Sequence, residues 1–511
     1  LVEERKREIV SLLMNKGIIL DTNMFNRINN ITDIDGFYNF LIKEERSGQS
    51  LADFDEIIGK YGSGKSSLLG ESAKTDTDNI RKALQGSVEV TFSYKEEPKK
   101  RGVQDFLGLF TARYNALRPI LQNRKELQNL TSINRLNQKR EREQTAIIGL
   151  VMQKQATKAG NIMLTIEDPT GSIKVIVSQN SDSYELAKDT VLDEVIGVAG
   201  TSGDKIMFAS NLYVPDIPIY KELKKSPDET YALFLGDFHF GSNLFLKEPF
   251  EKLIKWICGE QGGERQKEIA SKLKYIFVAG DLVEGVGIYP GQENDLEVKD
   301  IYDQYSELAK HLSKIPHDKQ IIACPGNHDA MRIAEPQPPL YKDFAEAVWR
   351  LPNVTMVSNP AYVNIHKSAD FPGFDILMYH GFSFIYYADQ VESIRNLGGQ
   401  KRSDLIMKFL LQRRHLAPTH TSTLYLPDAN KDSLVIDKIP DFFITGHIHR
   451  VSAASYRNIT MINCSSWLEM TEYQEKVGLY PQPGRAVLVN LQTRKVKILK
   501  FYDDPNEDQE N

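Results

Sequence analysis

The sequence is poor in cysteine. Cys258, Cys324 and Cys464 are the only three in 511 residues. They stand too far apart for a zinc ribbon or a disulfide framework, so a reducing, intracellular setting is expected. No apolar run reaches 18 residues, which excludes a membrane-spanning helix and leaves no membrane partner to expect. A secretory leader is also missing: the opening LVEERKREIVSLL is charged and amphipathic, and its first residue, Leu1, fits a processed or truncated chain. Nor is there a surplus of positive charge. The formal net charge is −6, whereas a protein that binds nucleic acid over a broad surface is usually basic. Lys and Arg do gather over residues 99–143 (KKRG, QNRKELQ, QKRERE). Contact with nucleic acid is therefore expected to be local, or assisted by metal or a partner.

What is present is an ordinary globular composition, 26% charged and 41% apolar, in a chain long enough for about two to four domains. Residues 1–67 read as a small helical N-terminal domain, with Val2, Ile9, Leu12 and Leu13 on one apolar face and Phe37, Phe40 and Leu41 on another. Residues 68–102 are polar or of mixed charge and read as a linker. From 103 to 222 an amphipathic helix (Phe106, Phe110, Tyr114, Leu117, Ile120) precedes five strand-like segments: TAIIGLVMQKQ, NIMLTIED, SIKVIVSQN, TVLDEVIGVAG and DKIMFASNLYV. A short helical stretch, SYELAKD, follows the third, an arrangement that predicts an OB-fold β-barrel. Residues 228–503 alternate apolar strands with helices, one predicted at 245–258 and another at 293–314. That texture predicts an α/β domain with its site at the strand ends. Residues 504–511 form an acidic tail.

GKYGSGKSS at 59–67 matches the phosphate-loop pattern, with Gly59, Gly64, Lys65 and Ser66 in register. Such a loop needs a buried strand running into it. The preceding LADFDEII instead has Leu51, Phe54 and Ile58 at helical spacing among three acids. The match is read as a turn that ends a surface helix, with no nucleotide expected.

A second constellation carries more chemistry. Successive strand ends bear GDFHFG (Asp237, His239), GDLVEG (Asp281, Glu284), GNHD (Asn327, His328, Asp329), YHG (His380) and GHIH (His447, His449). Two divalent ions clamped on a phosphate need a shared carboxylate flanked by imidazoles and a few oxygens, and Asp281 is the candidate bridge. At a strand end an Asp-x-His pair aims both side chains the same way, because alternate residues share a face. His447 and His449 fit the same geometry, or a loop splays them toward different ions. Mixed carboxylate, amide and imidazole ligation suits Mn²⁺, Fe or Zn better than Mg²⁺. His311, His317, His366, His415 and His420 lack such a setting and read as surface or packing residues.

These five blocks, in this order, resemble the calcineurin-like metallophosphoesterase superfamily across about 230–503. The resemblance implies a two-sheet sandwich flanked by helices. It also implies one ion on Asp237, His239, Asp281 and His449, and a second on Asp281, Asn327, His380 and His447. His328 would protonate the leaving oxygen, oriented by Asp329, in an in-line hydrolysis without a covalent intermediate. The superfamily usually has Asp where Glu284 stands. The wider architecture, with VQDFLGLFTARYNAL, GNHDAMRIAEPQPPL and RRHLAPT, resembles the small-subunit family of archaeal family-D DNA polymerases. That likeness implies a manganese-dependent 3′→5′ proofreading exonuclease in an archaeal cytoplasm, acting on a single-stranded 3′ end of DNA and docked to a large catalytic subunit. The alternatives are a vestigial scaffold and a repair nuclease of the same superfamily. Phe382, Phe384, Tyr386 and Tyr387 follow His380 and either stack a frayed base or fill the core. QDFLGLF (104–110) loosely resembles a sliding-clamp peptide, which adds the clamp as a candidate partner, although Thr111 replaces its second aromatic.

Overall fold

The computed structural model describes residues 88–504, apart from 97, 140 and 477, together with 8, 9, 13 and 37–41. The chain divides into two units, Leu1–Ala83 and Leu84–Asn511. In the first, residues 37–41 are helical, Phe37 and Leu41 are buried, and the rings of Phe37 and Phe40 stack at 6.4 Å. Glu8, Ile9 and Leu13 are helical too, with Ile9 and Leu13 buried; the remainder of the expected helical domain, the phosphate-loop match at 59–67 and the tail after 504 lie outside the described residues.

The first described element of the second unit is a strand inside the stretch expected to be a linker. β1 (Val88–Ser93) pairs antiparallel with Ala361–Ile365. It lies at the outer edge of a sheet and leaves Glu89, Val90 and Thr91 exposed. An edge strand with so little to bury has the composition of a solvated segment, which is why the linker reading does not hold here.

α1 (Val103–Gln122) follows, and α2 (Ile133–Gln138) leads into five strands: β2 (Gln144–Ala156), β3 (Ile162–Asp168), β4 (Gly171–Val177), β5 (Val195–Ser202) and β6 (Ile206–Tyr213). They close into a barrel in the order β2-β3-β4-β6-β5, with α3 (Tyr184–Asp189) between β4 and β5. Only the β4–β6 pair is parallel. Alternate side chains such as Leu164, Ile166, Ile173 and Val175 point inward and fill the barrel. Tyr114, Leu117 and Leu121 of α1 pack on its outside against Ile148 and Val195.

Two sheets make the larger domain. One has the order β10-β9-β8-β7-β16-β17, built from β7 (Tyr231–Leu235), β8 (Leu273–Ala279), β9 (Gln320–Cys324), β10 (Val354–Met356), β16 (Arg485–Asn490) and β17 (Val496–Lys500). The other has the order β1-β11-β12-β13-β15-β14, adding β11 (Ala361–Ile365), β12 (Phe374–Met378), β13 (Phe442–Thr445), β14 (Ser452–Tyr456) and β15 (Ile459–Asn463). Phe234, Phe277 and Ile322 of the first sheet meet Ile376, Phe442 and Ile462 of the second in the central core. Helices cover both outer faces. α4 (Lys247–Ile257) and α5 (Ile301–Leu312) lie on the first sheet, α6 (Phe384–Gln390) and α7 (Ser403–Arg413) on the second. α5 starts eight residues later than its periodicity predicts, because Asp300 caps it by accepting from the backbone N–H of Tyr302 at 2.8 Å and of Asp303 at 3.2 Å.

Buried ion pairs lock the barrel to the sandwich. Arg113 of α1 donates to Asp432 at 2.8 Å, to the carbonyls of Asp193 and Pro418, and to the Tyr425 hydroxyl. Asp432 also meets His415 Nε2 at 2.8 Å, and on the other side Arg413 pairs with Glu194 at 3.0 Å. A charge taken out of water needs such full satisfaction, and these groups have it.

Candidate metal centre

Every strand that feeds the site does so from its carboxyl end. β7, β8 and β9 run parallel and deliver Asp237, Asp281 and Asn327 in the residues just after them. β12 and β13, parallel in the facing sheet, deliver His380 and His447. The open end of an α/β sheet is where sites form.

The alternation argument for Asp-x-His does not describe what happens there. Asp237, His239, Asp281, His447 and His449 all have left-handed backbone, with φ of 51°, 55°, 48°, 70° and 55°. That region costs an ordinary residue about 1–3 kcal/mol and is held by its surroundings. Those surroundings are visible: Asp237 N–H donates to the Gly280 carbonyl, His239 N–H to the Asp281 carbonyl, and Trp467 N–H to the Asp237 carbonyl, all at 2.9–3.0 Å. The backbone also closes in on the ligands. A Cβ at Gly326 would collide with the Asp281 carboxylate, and one at Gly446 with that of Asp237.

The expected ligands converge in two groups, Asp237, His239 and His449 in one and Asp281, His380 and His447 in the other, while His239 also belongs to a third cluster with Glu284 and His328. In the first, His239 Nε2 lies 3.2 Å from His449 Nε2, which is 3.5 Å from Asp237 Oδ1. In the second, His380 Nε2 lies 3.2 Å from Asp281 Oδ2 and 2.9 Å from Asn327 Oδ1. Asp281 Oδ2 is also 3.8 Å from His239 Nε2, so this carboxylate stands between the groups. His447 and His449 thus serve different groups, as the splayed alternative allowed.

These atoms fit cations. His380 Nδ1 faces the Ala279 carbonyl at 2.8 Å, an acceptor, and so carries that ring's hydrogen. Its Nε2 then meets two further oxygens, so that a ring nitrogen, a carboxylate oxygen and an amide oxygen converge where one cation would satisfy all three. A proton on Nε2 is one such cation: burial opposes charge on His380, but Asp281 and Asp237 push its pKa up to about 10. Asp281 is held well below the carboxylate range against burial, chiefly by His380 and His328. Burial and His380 push His447 down to about 3, and its Nε2 is buried without a hydrogen-bond partner. A neutral imidazole with an orphaned nitrogen is a ligand in waiting.

His328 and Asp329 do not form the expected dyad. His328 Nδ1 is held by the Glu284 carbonyl at 3.0 Å, while its backbone N–H donates to Asp281. Asp329 turns away, accepting from the N–H groups of Gly326 and Leu282 and from the Tyr305 hydroxyl. Burial and the charge of Asp281 push its pKa up to about 7. Asp329 therefore fixes the loop that carries Asn327 and His328 and does not touch the ring. Glu284 is the residue that orients histidines: its carboxylate meets His239 Nδ1 at 2.8 Å. Gln474, 3.1 Å from His449 Nδ1, and Asn359, which accepts from His380 N–H, belong to no motif and escape sequence reasoning.

The other candidates separate cleanly. His311 packs against Phe240 and Phe250, His366 bridges Tyr275 and Asp228, and His415 belongs to the Arg113 lock. Phe384 and Tyr387 are core, Tyr386 is half-buried, and Phe382 is half-buried beside His447. Phe110 of the clamp-like segment lies against His420 and Arg113, so its ring is not presented for insertion into a partner.

Against known proteins, residues 231–451 match the profile of the calcineurin-like phosphoesterase family. The DNA polymerase II small subunit of Methanothermobacter thermautotrophicus is 34% identical over 505 residues, 97% of this chain and 99% of that one. The DNA polymerase II small subunit of Pyrococcus abyssi is 37% identical over 402 residues, 78% of this chain. The match spans only 63% of the P. abyssi protein's own length. That of Archaeoglobus fulgidus is 37% identical over 402 residues, 79% of this chain and 78% of its own.

Proposed function

The chain belongs to the family of DNA polymerase II small subunits, and from that premise we propose that its calcineurin-like phosphoesterase domain is a working 3′→5′ exonuclease that proofreads for a large catalytic subunit. The observation that carries this reading is the position of Asp281 between two convergent groups of carboxylate and imidazole side chains. Asp237, His239, Asp281 and His449 would hold one divalent ion, and Asp281, Asn327, His380 and His447 the other, with Mn²⁺ favoured over Fe or Zn. Bound there, the pair would supply Lewis-acid polarisation of the scissile phosphate and of a water.

The chain's own residues complete the chemistry. With Nδ1 of His328 committed to the Glu284 carbonyl, Nε2 is the nitrogen that hands a proton to the departing 3′ oxygen. Burial opposes charge on His328, but Asp281 and Glu284 raise its pKa, which favours the protonated ring that an acid requires. Asp329 serves this step by fixing the loop rather than the imidazole. The closed five-stranded barrel, with α3 between β4 and β5, supports reading it as an OB fold. Locked to the sandwich, it serves as a docking surface for the large subunit in the cytoplasmic replication apparatus.

Incubating the chain with Mn²⁺ and a 3′-mismatched primer–template, with products resolved by length, tests the reading. Stepwise loss of 5′-mononucleotides from the 3′ end is the expected result, abolished in His328→Ala with both ions still bound. Cleavage of a small phosphomonoester alone would make this a phosphatase. Two bound ions without any hydrolysis would leave a scaffold.

A further inference from the structure

Of the four aromatic residues that follow His380, three have a packing role. Phe384 and Tyr387, both on α6, are fully buried in the core that α6 shares with α7, with the Tyr387 hydroxyl donated to Ser422, and Tyr386 packs edge-on against Tyr387. Phe382 differs. It is half-buried and sits beside the His447 ring at 5.5 Å between centroids, tilted by 53°. Gly381, at φ 111°, makes the turn that carries the chain from the His380 ligand to this position. A phenyl ring left partly in water at the rim of a buried polar cluster gains little from folding.

We infer that Phe382 is the platform on which the 3′-terminal nucleobase stacks when the strand enters the centre. The inference rests on the nuclease reading above. His328 stands against His239, 4.7 Å between ring centroids, so the departing strand leaves on the side of the first ligand group. Phe382 stands at the second group, through His447, on the side left to the nucleotide that stays with the phosphate. An aromatic face accepts any of the four bases, as removal of a mispaired end requires, and it favours a base already out of its helix. A paired terminal base must first give up its own stacking, so the platform discriminates between frayed and paired ends without reading sequence.

The test uses the 511-residue chain with an oligonucleotide that carries 2-aminopurine at its 3′ terminus, its last linkage replaced by a non-hydrolysable phosphonate. Stacking on Phe382 should quench the fluorophore on binding. Phe382→Ala should abolish the quench and weaken binding about 10-fold or more, the loss expected for one stacked base. Phe382→Trp should restore both. Phe382→Leu keeps the apolar bulk but lacks the π-face, and should behave like the alanine variant. With a 3′-abasic end, wild type and Phe382→Ala should bind alike. If Phe382→Ala quenches and binds as wild type does, while wild type degrades cleavable 3′ ends, the platform is refuted and the nuclease stands. If wild type degrades no 3′ end at all, the nuclease reading fails and takes the platform with it.

Discussion

Replacing Glu284 should damage one ion site and spare the other. Its carboxylate is buried, 2.8 Å from His239 Nδ1, and held below the usual range, against burial, chiefly by His239. That contact keeps the hydrogen on Nδ1 and leaves Nε2 to bind. Loss of such a partner lowers metal affinity roughly 10–100-fold, or about 1.4–2.7 kcal/mol. Glu284→Ala should therefore weaken the site of Asp237, His239 and His449 by that factor. The second group has its own supports: the Ala279 carbonyl holds His380 Nδ1 and Asn359 holds its backbone. His328 also keeps its tether, because the alanine retains the backbone carbonyl that His328 Nδ1 contacts. Glu284→Gln preserves an acceptor without the charge and should fall between the two. Calorimetric titration with Mn²⁺, resolved into two binding steps, reads the effect. Equal weakening of both steps, or of neither, would show that Glu284 does not govern His239 as argued.

Asp281→Ala should weaken both binding steps together, since this one carboxylate faces both groups; retention of two tight ions would contradict the bridging assignment. Arg113→Ala strips Asp432 of its buried partner and should cost about 3–5 kcal/mol in chemical denaturation, whereas replacing Arg113 and Asp432 together by apolar residues should recover much of that. His415 links stability to pH. Burial and Arg113 push its pKa down from 6.5 to about 4. The unfolded chain therefore takes up a proton that the folded one refuses as pH falls from about 6.5 to 4, and roughly 3 kcal/mol is lost over that window. His415→Gln should flatten the pH dependence of urea unfolding there, and an unchanged slope would remove His415 as its source.

The convergence of the expected ligands was legible because the chemistry of a metal site would restrict their types. Carboxylates, an amide and imidazoles each follow an apolar run, and the folded chain brings all seven into the two groups or beside them. What could not be read was how they are aimed. Asp329 follows His328 directly and so looks like its partner, yet two backbone N–H groups and Tyr305 claim its carboxylate. The left-handed backbone at five of the seven residues is only faintly signalled, because Asp and His enter that region more readily than most residues but far less than glycine. Gln474 and Asn359 lie in segments without period or motif, and only the folded chain brings them near His449 and His380. The barrel was readable from five alternating runs and one helix; the strand at Val88–Ser93 was not, since an edge position asks little of composition.

That edge strand bears on where the molecule can be cut. A fragment beginning near residue 103, after the apparent linker, would remove β1 and leave Ala361–Ile365 with a row of open N–H and C=O groups. Ala361, Tyr362, Val363 and Ile365 are all buried, so the bared margin would be sticky as well as unpaired. Such a truncation would invite strand exchange between neighbouring molecules, and precipitation on shortening would then report a lost border strand rather than a misplaced active site.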